Sequence, residues 1–128
     1  MKLDILFTHE PIVIPDLLSG SREIGAVVEF RGFVREMEHG EALEGLFYEA
    51  YEAMAGKVLG NHLRELGEIH GCDAVEFIHR LGWVPVGEAS LYIRVCSAHR
   101  GEGLGFLAAA IDRLKLDVPI WKRVGKPG

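Results

Sequence analysis

Cysteine is scarce: Cys72 and Cys96 are the two in 128 residues, too few for a disulfide framework. They fit a reducing cytoplasm, where such thiols pack as small apolar side chains. No stretch reaches the ~18 apolar residues of a membrane span, and Met1-Lys2-Leu3-Asp4 opens no apolar signal segment. The chain is therefore expected in the cytoplasm, with no membrane association. Basic residues are outnumbered, 14 Lys and Arg against 19 Asp and Glu, for a formal net charge of −5. A general nucleic-acid binder needs a basic face for phosphates, so that class is excluded. A local cationic pocket for a small anion is not.

Metal and nucleotide signatures are also missing. The six histidines contain no H-E-x-x-H, and Cys96-Ser97-Ala98-His99 is a single C-x-x-H without a second half. Gly101, Gly103 and Gly105 match neither G-x-G-x-x-G nor the P-loop, and read as a flexible helix start with one close backbone approach. No C-x-x-C supports thiol chemistry. No metal and no cofactor is expected. No repeat, low-complexity tract or linker divides the chain, so residues 1–128 are taken as one domain. With 48% hydrophobic and 26% charged residues it has the composition of an ordinary folded protein.

What is present is patterned. Leu3 to Phe7 reads as a first strand, Pro11 and Pro15 punctuate the segment after it, and Asp16-Leu17-Leu18 fits a brief helical turn. Ile24 to Val34 is rich in β-branched and aromatic residues and reads as a strand, with Arg35 to Gly40 as its exit loop. Leu43 to Tyr51 is a further strand. Met54, Val58, Leu59, Leu63 and Leu66 recur at helical spacing between Glu52 and Ile69, and Gly71 ends that helix. Ala74 to Leu81 is a strand, and Val84 to Gly87 a turn. Ala89, Leu91, Ile93 and Val95 alternate with Ser90, Tyr92, Arg94 and Cys96, as in a half-buried strand. A second helix runs from Arg100 or Gly101 to Lys115 with Leu104, Leu107, Ala108, Ile111 and Leu114 on one face, and Val118-Pro119 stops it. This order predicts an α+β fold, helices against a mostly antiparallel sheet.

Two places invite chemistry. At Ser97-Ala98-His99-Arg100 a strand hands over to a helix, whose free N–H groups and dipole favour an anion. A histidine and a guanidinium would strengthen that, although from position alone a capping Ser97 beside ordinary surface residues is the better reading. Lys115 and Lys122 bracket an apolar run through Val118, Ile120 and Trp121. A lysine held against apolar surface can act in acyl or proton transfer; a solvated basic tail of Lys122, Arg123 and Lys126 is the plainer alternative. Tyr48, Glu49, Tyr51 and Glu52 read as packing plus solvated carboxylates.

Five stretches taken together resemble the large, catalytic subunit of molybdopterin synthases. They are Ile24 to Arg35; Leu46 to Tyr51 with Met54-Ala55; Ile78 to Gly82 with Val84 to Ser90; Ser97 to Arg100; and Asp112 to Lys115 with Pro119 to Arg123. All stand in the family order and spacing. The resemblance implies an α/β-hammerhead-like fold with two main helices and a small β subdomain. It also implies a sulfurtransferase of molybdenum cofactor biosynthesis, converting cyclic pyranopterin monophosphate (precursor Z) to molybdopterin. Sulfur would come from the C-terminal Gly-Gly thiocarboxylate of a small ubiquitin-like subunit, and a homodimer would stand at the centre of a heterotetramer.

The family's catalytic lysines fall on Lys115 and Lys122. Its substrate-binding positions fall on Phe33, Val34, Arg35, His99, Arg100, Arg123 and Val124 as well as the two lysines, with the His-Arg pair reaching a pocket completed by the other protomer. The chain departs from the family's usual Trp-Lys-Lys-Glu at Arg123 and Val124, and its loop lacks an Asn often found before the glycine. A non-catalytic module that binds a phosphorylated small molecule at His99–Arg100 is the alternative, and a structural partner docking through a basic C-terminus a third.

Overall fold

The computed structural model describes residues 1–17 and 21–124. Through them run β1 (Lys2–Thr8), β2 (Ala26–Phe33), β3 (Met37–Glu38), β4 (Glu41–Ala42), β5 (Gly45–Ala50), α1 (Glu52–His70), β6 (Ala74–Arg80), β7 (Gly82–Pro85), β8 (Ala89–Ser97), α2 (Arg100–Asp117) and β9 (Ile120–Val124). The larger sheet has the order β1-β6-β8-β2; β1 and β6 are parallel, the other two pairs antiparallel. A second sheet, β7-β5-β9, is antiparallel throughout. The α+β class, the mostly antiparallel sheet, the two main helices and the small β subdomain are all as expected.

The helices cover one face of the larger sheet. Ala55, Leu59, Leu63 and Leu66 of α1 are buried at spacings of one helical turn, against Leu3, Ile5 and Phe7 of β1. Gly71 closes α1 in the left-handed region (φ 73°), its N–H donating to the Gly67 carbonyl at 2.9 Å. Met54, expected on the stripe, is exposed, because the stripe enters the first turn through Ala55, about 100° further round the helix. The expected face of α2 is displaced in the same sense. Phe106, Ala110 and Gly103 are buried, Leu107, Ile111 and Leu114 pack at the margin, and Leu104 and Ala108 are exposed. Gly103 explains the shift: a Cβ there would lie 3.1 Å from Val28 Cγ2 and 3.2 Å from Ser97 Oγ. Where one close approach was expected of the glycine run there are two, since a Cβ at Gly105 would lie 3.0 Å from His70 Nδ1; the approach at Gly103 draws the helix onto β2 and β8 along a face that apolar side chains do not mark.

The strand β8 is not half-buried. Ser90, Tyr92, Arg94 and Cys96 are as buried as their apolar neighbours. The irregular segment before β2 covers this second face. Arg94 donates to the carbonyls of Pro15 (2.8 Å) and Asp16 (3.2 Å) and to both Glu76 oxygens (2.9 Å), while the Tyr92 hydroxyl donates to Glu29 (2.9 Å). Asp16 and Leu17 take no helical form, and Leu18 lies outside the described residues.

Three further expectations are corrected. The exit loop contains the β3–β4 hairpin, turned by His39 (φ 52°) and Gly40 (φ 79°), both in the left-handed region that such two-residue turns require. Val84 and Pro85 belong to β7, and the turn comes after them, at Gly87 (φ 87°). Lys122 and Arg123 are not a loose tail but part of β9, which pairs with β5 and places Tyr48 opposite Lys122 and Phe47 opposite Arg123. Lys126 lies outside the described residues. The two cysteines are buried and free.

Candidate active site

The helix α2 ends at Asp117, and Val118 turns the chain directly into β9. That short return carries the last turn of α2 and the middle of β9 to one cleft of about 380 Å³, where the two sheets meet. Lys115 and Lys122 both line it, with Phe33 and Trp121 at its walls and Tyr48, His79 and Ser90 supplying the other polar groups. The cleft thus brings the two lysines and Phe33 together.

Strand alternation decides which basic side chain of β9 faces inward. Lys122 shares the side of Tyr48 and enters the cleft. Arg123 takes the opposite side, with its guanidinium 4.7 Å over the Phe47 ring and Nε donating to Glu49 at 3.1 Å. Val34 is buried in a small second core with Leu46 and Val84, and Val124 is exposed at the end of β9. Neither lines the cleft.

Lys122 Nζ donates to Glu38 Oε1 at 2.6 Å. This bond, from a cation to a mostly covered carboxylate, is the main cause that holds the Glu38 carboxyl below its ordinary pKa, with charge from His39 and Arg35 adding to it. Glu38 was not singled out in the sequence, because only the hairpin folds it back onto β9. Arg35 is exposed at the base of that hairpin.

His99 and Arg100 stand at the opposite end of α2. Fifteen residues at a rise of about 1.5 Å put Arg100 some 22 Å from Lys115 along the axis. His99 is the extended residue preceding the helix. Ser97 is fully buried and its hydroxyl donates to the His99 carbonyl at 2.7 Å, so it caps no helix N–H. The His99 ring meets Glu102 at 3.0 Å, and this bond lowers the Glu102 pKa. The free N–H end of α2 therefore has an acidic side chain in its own first turn.

His79 was part of a matching stretch but carried no expected role. Its signal lay in parity: it falls two residues after Phe77 and four after Val75, a polar side chain on a buried face. The residue is 4% exposed, its Nδ1 lies 2.8 Å from the Arg80 carbonyl oxygen, and burial lowers its pKa. Among the described residues no group of three or more His, Cys, Asp or Glu is placed to hold a metal ion.

The profile of the MoaE protein family matches residues 7–117. The chain belongs to the MoaE family. Relatives named molybdopterin synthase catalytic subunit include one from Homo sapiens, 38% identical over 121 residues that cover 93% of this chain and 64% of that protein. One from Bacillus subtilis is 40% identical over 102 residues, covering 80% and 65%. The chain spans about half the length of the rice and Arabidopsis relatives that it matches, at 51% of each. The crystal structure of molybdopterin synthase from Staphylococcus aureus superposes with a TM-score of 0.80 at 34% identity, covering 92% of this chain and 88% of that one. A complex of subunits 1 and 2 of the molybdopterin-converting factor from Helicobacter pylori matches with a TM-score of 0.68 at 25% identity, covering 80% and 67%. The MoaE fold thus accounts for both sheets and both helices.

Proposed function

We propose that the chain acts as one domain, the catalytic subunit of a molybdopterin synthase. It converts cyclic pyranopterin monophosphate to molybdopterin with two sulfurs from the C-terminal thiocarboxylate of a small ubiquitin-like subunit. The observation that carries this reading is the convergence of Lys115 and Lys122 on one cleft in a chain of the MoaE family. The Helicobacter relative, a complex of two subunits, supports the small partner.

The chemistry brings two anions together, a phosphate ester and a thiocarboxylate, and cations must offset their repulsion. Lys115, at the exposed end of α2, is assigned to the incoming acyl-thio terminus. Lys122 is assigned to the substrate oxygens that sulfur replaces, which it polarises and protonates as they leave. Glu38, 2.6 Å from the Lys122 ammonium, holds that side chain in place. Phe33 forms a wall. Arg35, His99 and Arg100 are assigned to the phosphate, the last two from a second copy of the chain, since within one copy α2 keeps them far from the lysines. Arg123 and Val124 are retained as substrate neighbours only through the strand they share with Lys122. No helix among the described residues is long and apolar enough to cross a membrane, and we place the reaction in the cytoplasm.

Reconstitution tests the reading: purified chain, thiocarboxylated small subunit and precursor, with the dithiolene product measured. Lys115→Ala and Lys122→Ala are each expected to lose at least about 100-fold in product formation. Near-normal turnover in Lys115→Ala removes the role given to that lysine, and an inactive wild type removes the reading.

A further inference from the structure

One side chain in the cleft wall offers chemistry that two ammonium groups do not. Val75, Phe77 and His79 share one side of β6, facing Val95, Ile93 and Leu91 of β8. The first two side chains are sealed in the core, and at the third the core opens into the cleft. The Nδ1 of His79 lies 2.8 Å from the Arg80 carbonyl oxygen, which only accepts, so Nδ1 carries the ring hydrogen. The neutral ring then keeps a lone pair on Nε2, and among the described residues the Nδ1 contact is the ring's one hydrogen bond. The Tyr48 ring packs edge-on at 5.1 Å and holds the imidazole plane.

The other polar groups of the wall are of different kinds. Lys115 from α2 and Lys122 from β9 are donors without a lone pair while charged, and the Tyr48 and Ser90 hydroxyls of β5 and β8 are poor bases. Among the described residues no carboxylate lines the cleft, and the nearby Glu38 is engaged by Lys122 at 2.6 Å. His79 is its one neutral nitrogen base among the described residues.

We propose that His79 is a further catalytic residue of this cleft, taking a proton through Nε2 from the water that cleaves the acyl–sulfur bond. The proposal rests on the sulfur-transfer reading above. Once the thiocarboxylate sulfur has bonded to a substrate carbon, the carrier's acyl carbon is still joined to the substrate through that sulfur. Water must then add its oxygen to the acyl carbon, and the acyl C–S bond must break. The electron pair of that bond stays on sulfur as a thiolate, which the lysine ammonium groups stabilise. One water proton passes to Nε2, the other to solvent as the carrier leaves as a carboxylate. No oxidant or reductant is consumed. Burial disfavours the imidazolium and outweighs the Arg80 carbonyl that favours it, so the ring is neutral at working pH and passes the proton on promptly.

A single-turnover reaction of the reconstituted complex separates this step from the one before it. In His79→Asn and His79→Gln, a carrier–substrate adduct linked through sulfur should build up in the intact mass of the small subunit, with its hydrolysis slowed about 100-fold or more. Formation of the adduct should change less than about threefold. An active wild type with equally fast hydrolysis in both variants overturns the role of His79, as does an equal slowing of both steps. An inactive wild type overturns the reading beneath it instead. Ring nitrogen NMR of the wild-type chain gives a check independent of any variant: at pH 7, His79 should be neutral with the hydrogen on Nδ1. A charged ring, or a hydrogen on Nε2, overturns the proposal.

Discussion

Arg94 sits where a strand pattern would place a solvated side chain, yet its side chain is 3% exposed. It makes four hydrogen bonds, two to the Glu76 carboxylate and two to the Pro15 and Asp16 carbonyls. Arg94→Met keeps most of the stem's bulk and deletes every one of these donors. Breaking a fully buried ion pair from one side costs roughly 3–5 kcal/mol, because a charge is left without a partner. Here water can reach part of what is orphaned: the Glu76 side chain is 27% exposed, and Asp16 lies on an exposed segment. The lower end, about 3 kcal/mol, is therefore expected.

Urea denaturation at fixed protein concentration measures it. With a slope near 2 kcal/mol per molar, the midpoint should fall by roughly 1.5 M. Replacing both partners, as in Arg94→Met with Glu76→Met, removes the orphaned charge as well, and should bring stability back to within about 1 kcal/mol of the wild type. Limited proteolysis should find residues 12–17 more open in the single variant. A single-variant loss below about 1 kcal/mol would refute the reasoning, since it would mean that the guanidinium is solvated and the segment before β2 is held by something else.

Two further outcomes follow from the buried titratable groups. His79 has its pKa lowered in the folded chain, so between that value and the ordinary one near 6.5 the unfolded state binds the extra proton. Stability should then rise with pH in this window by up to about 1.4 kcal/mol per unit, flattening above it. Denaturation from pH 5 to 8 should show that slope in the wild type and a smaller one in His79→Phe. The Cys72 thiol is pushed up to about 11, first by burial and then by Glu102 and Asp73, so iodoacetamide at pH 8 should modify it more than about 100-fold slower in the folded chain than in urea.

The strands and helices were legible where one periodicity dominates. Leu59, Leu63 and Leu66 mark α1 without help from anything distant. The failures have a common cause, which is burial created by chain far away in sequence. Arg94 looks outward until Pro15 and Asp16 are laid over it. Leu104 looks inward until Gly103, with no side chain to count, turns out to be the contact. The pair Lys115 and Lys122 read alone as a helix end and a basic tail, and only the family spacing marked them as a site. What spacing could not convey is that β9 turns Lys122 into the cleft and Arg123 out of it, or that Glu38 comes back across a hairpin to meet Lys122. His79 was legible in part, as a polar residue on the apolar side of β6, but its free Nε2 depends on the Arg80 carbonyl and the Tyr48 ring.

The length of α2 bears on how many chains build one site. A helix is stiff, so His99 and Arg100 at one end and Lys115 at the other cannot touch the same small molecule within one chain. If all of them serve one reaction, the site must be composite, and a two-fold dimer would hold two such sites. Mixing two inactive variants decides this. One carries His99→Ala and Arg100→Ala with its lysines intact, and the other carries Lys115→Ala and Lys122→Ala with His99 and Arg100 intact. After subunit exchange about half of the dimers are mixed, and each mixed dimer has one site built wholly from unaltered residues, so product formation should return to about a quarter of the wild-type rate. Sites contained in single chains would leave the mixture as inactive as its components. The same mixture with His79→Asn added to the His99 and Arg100 variant should stay inactive, because His79 lies in the same cleft as the lysines that the variant contributes.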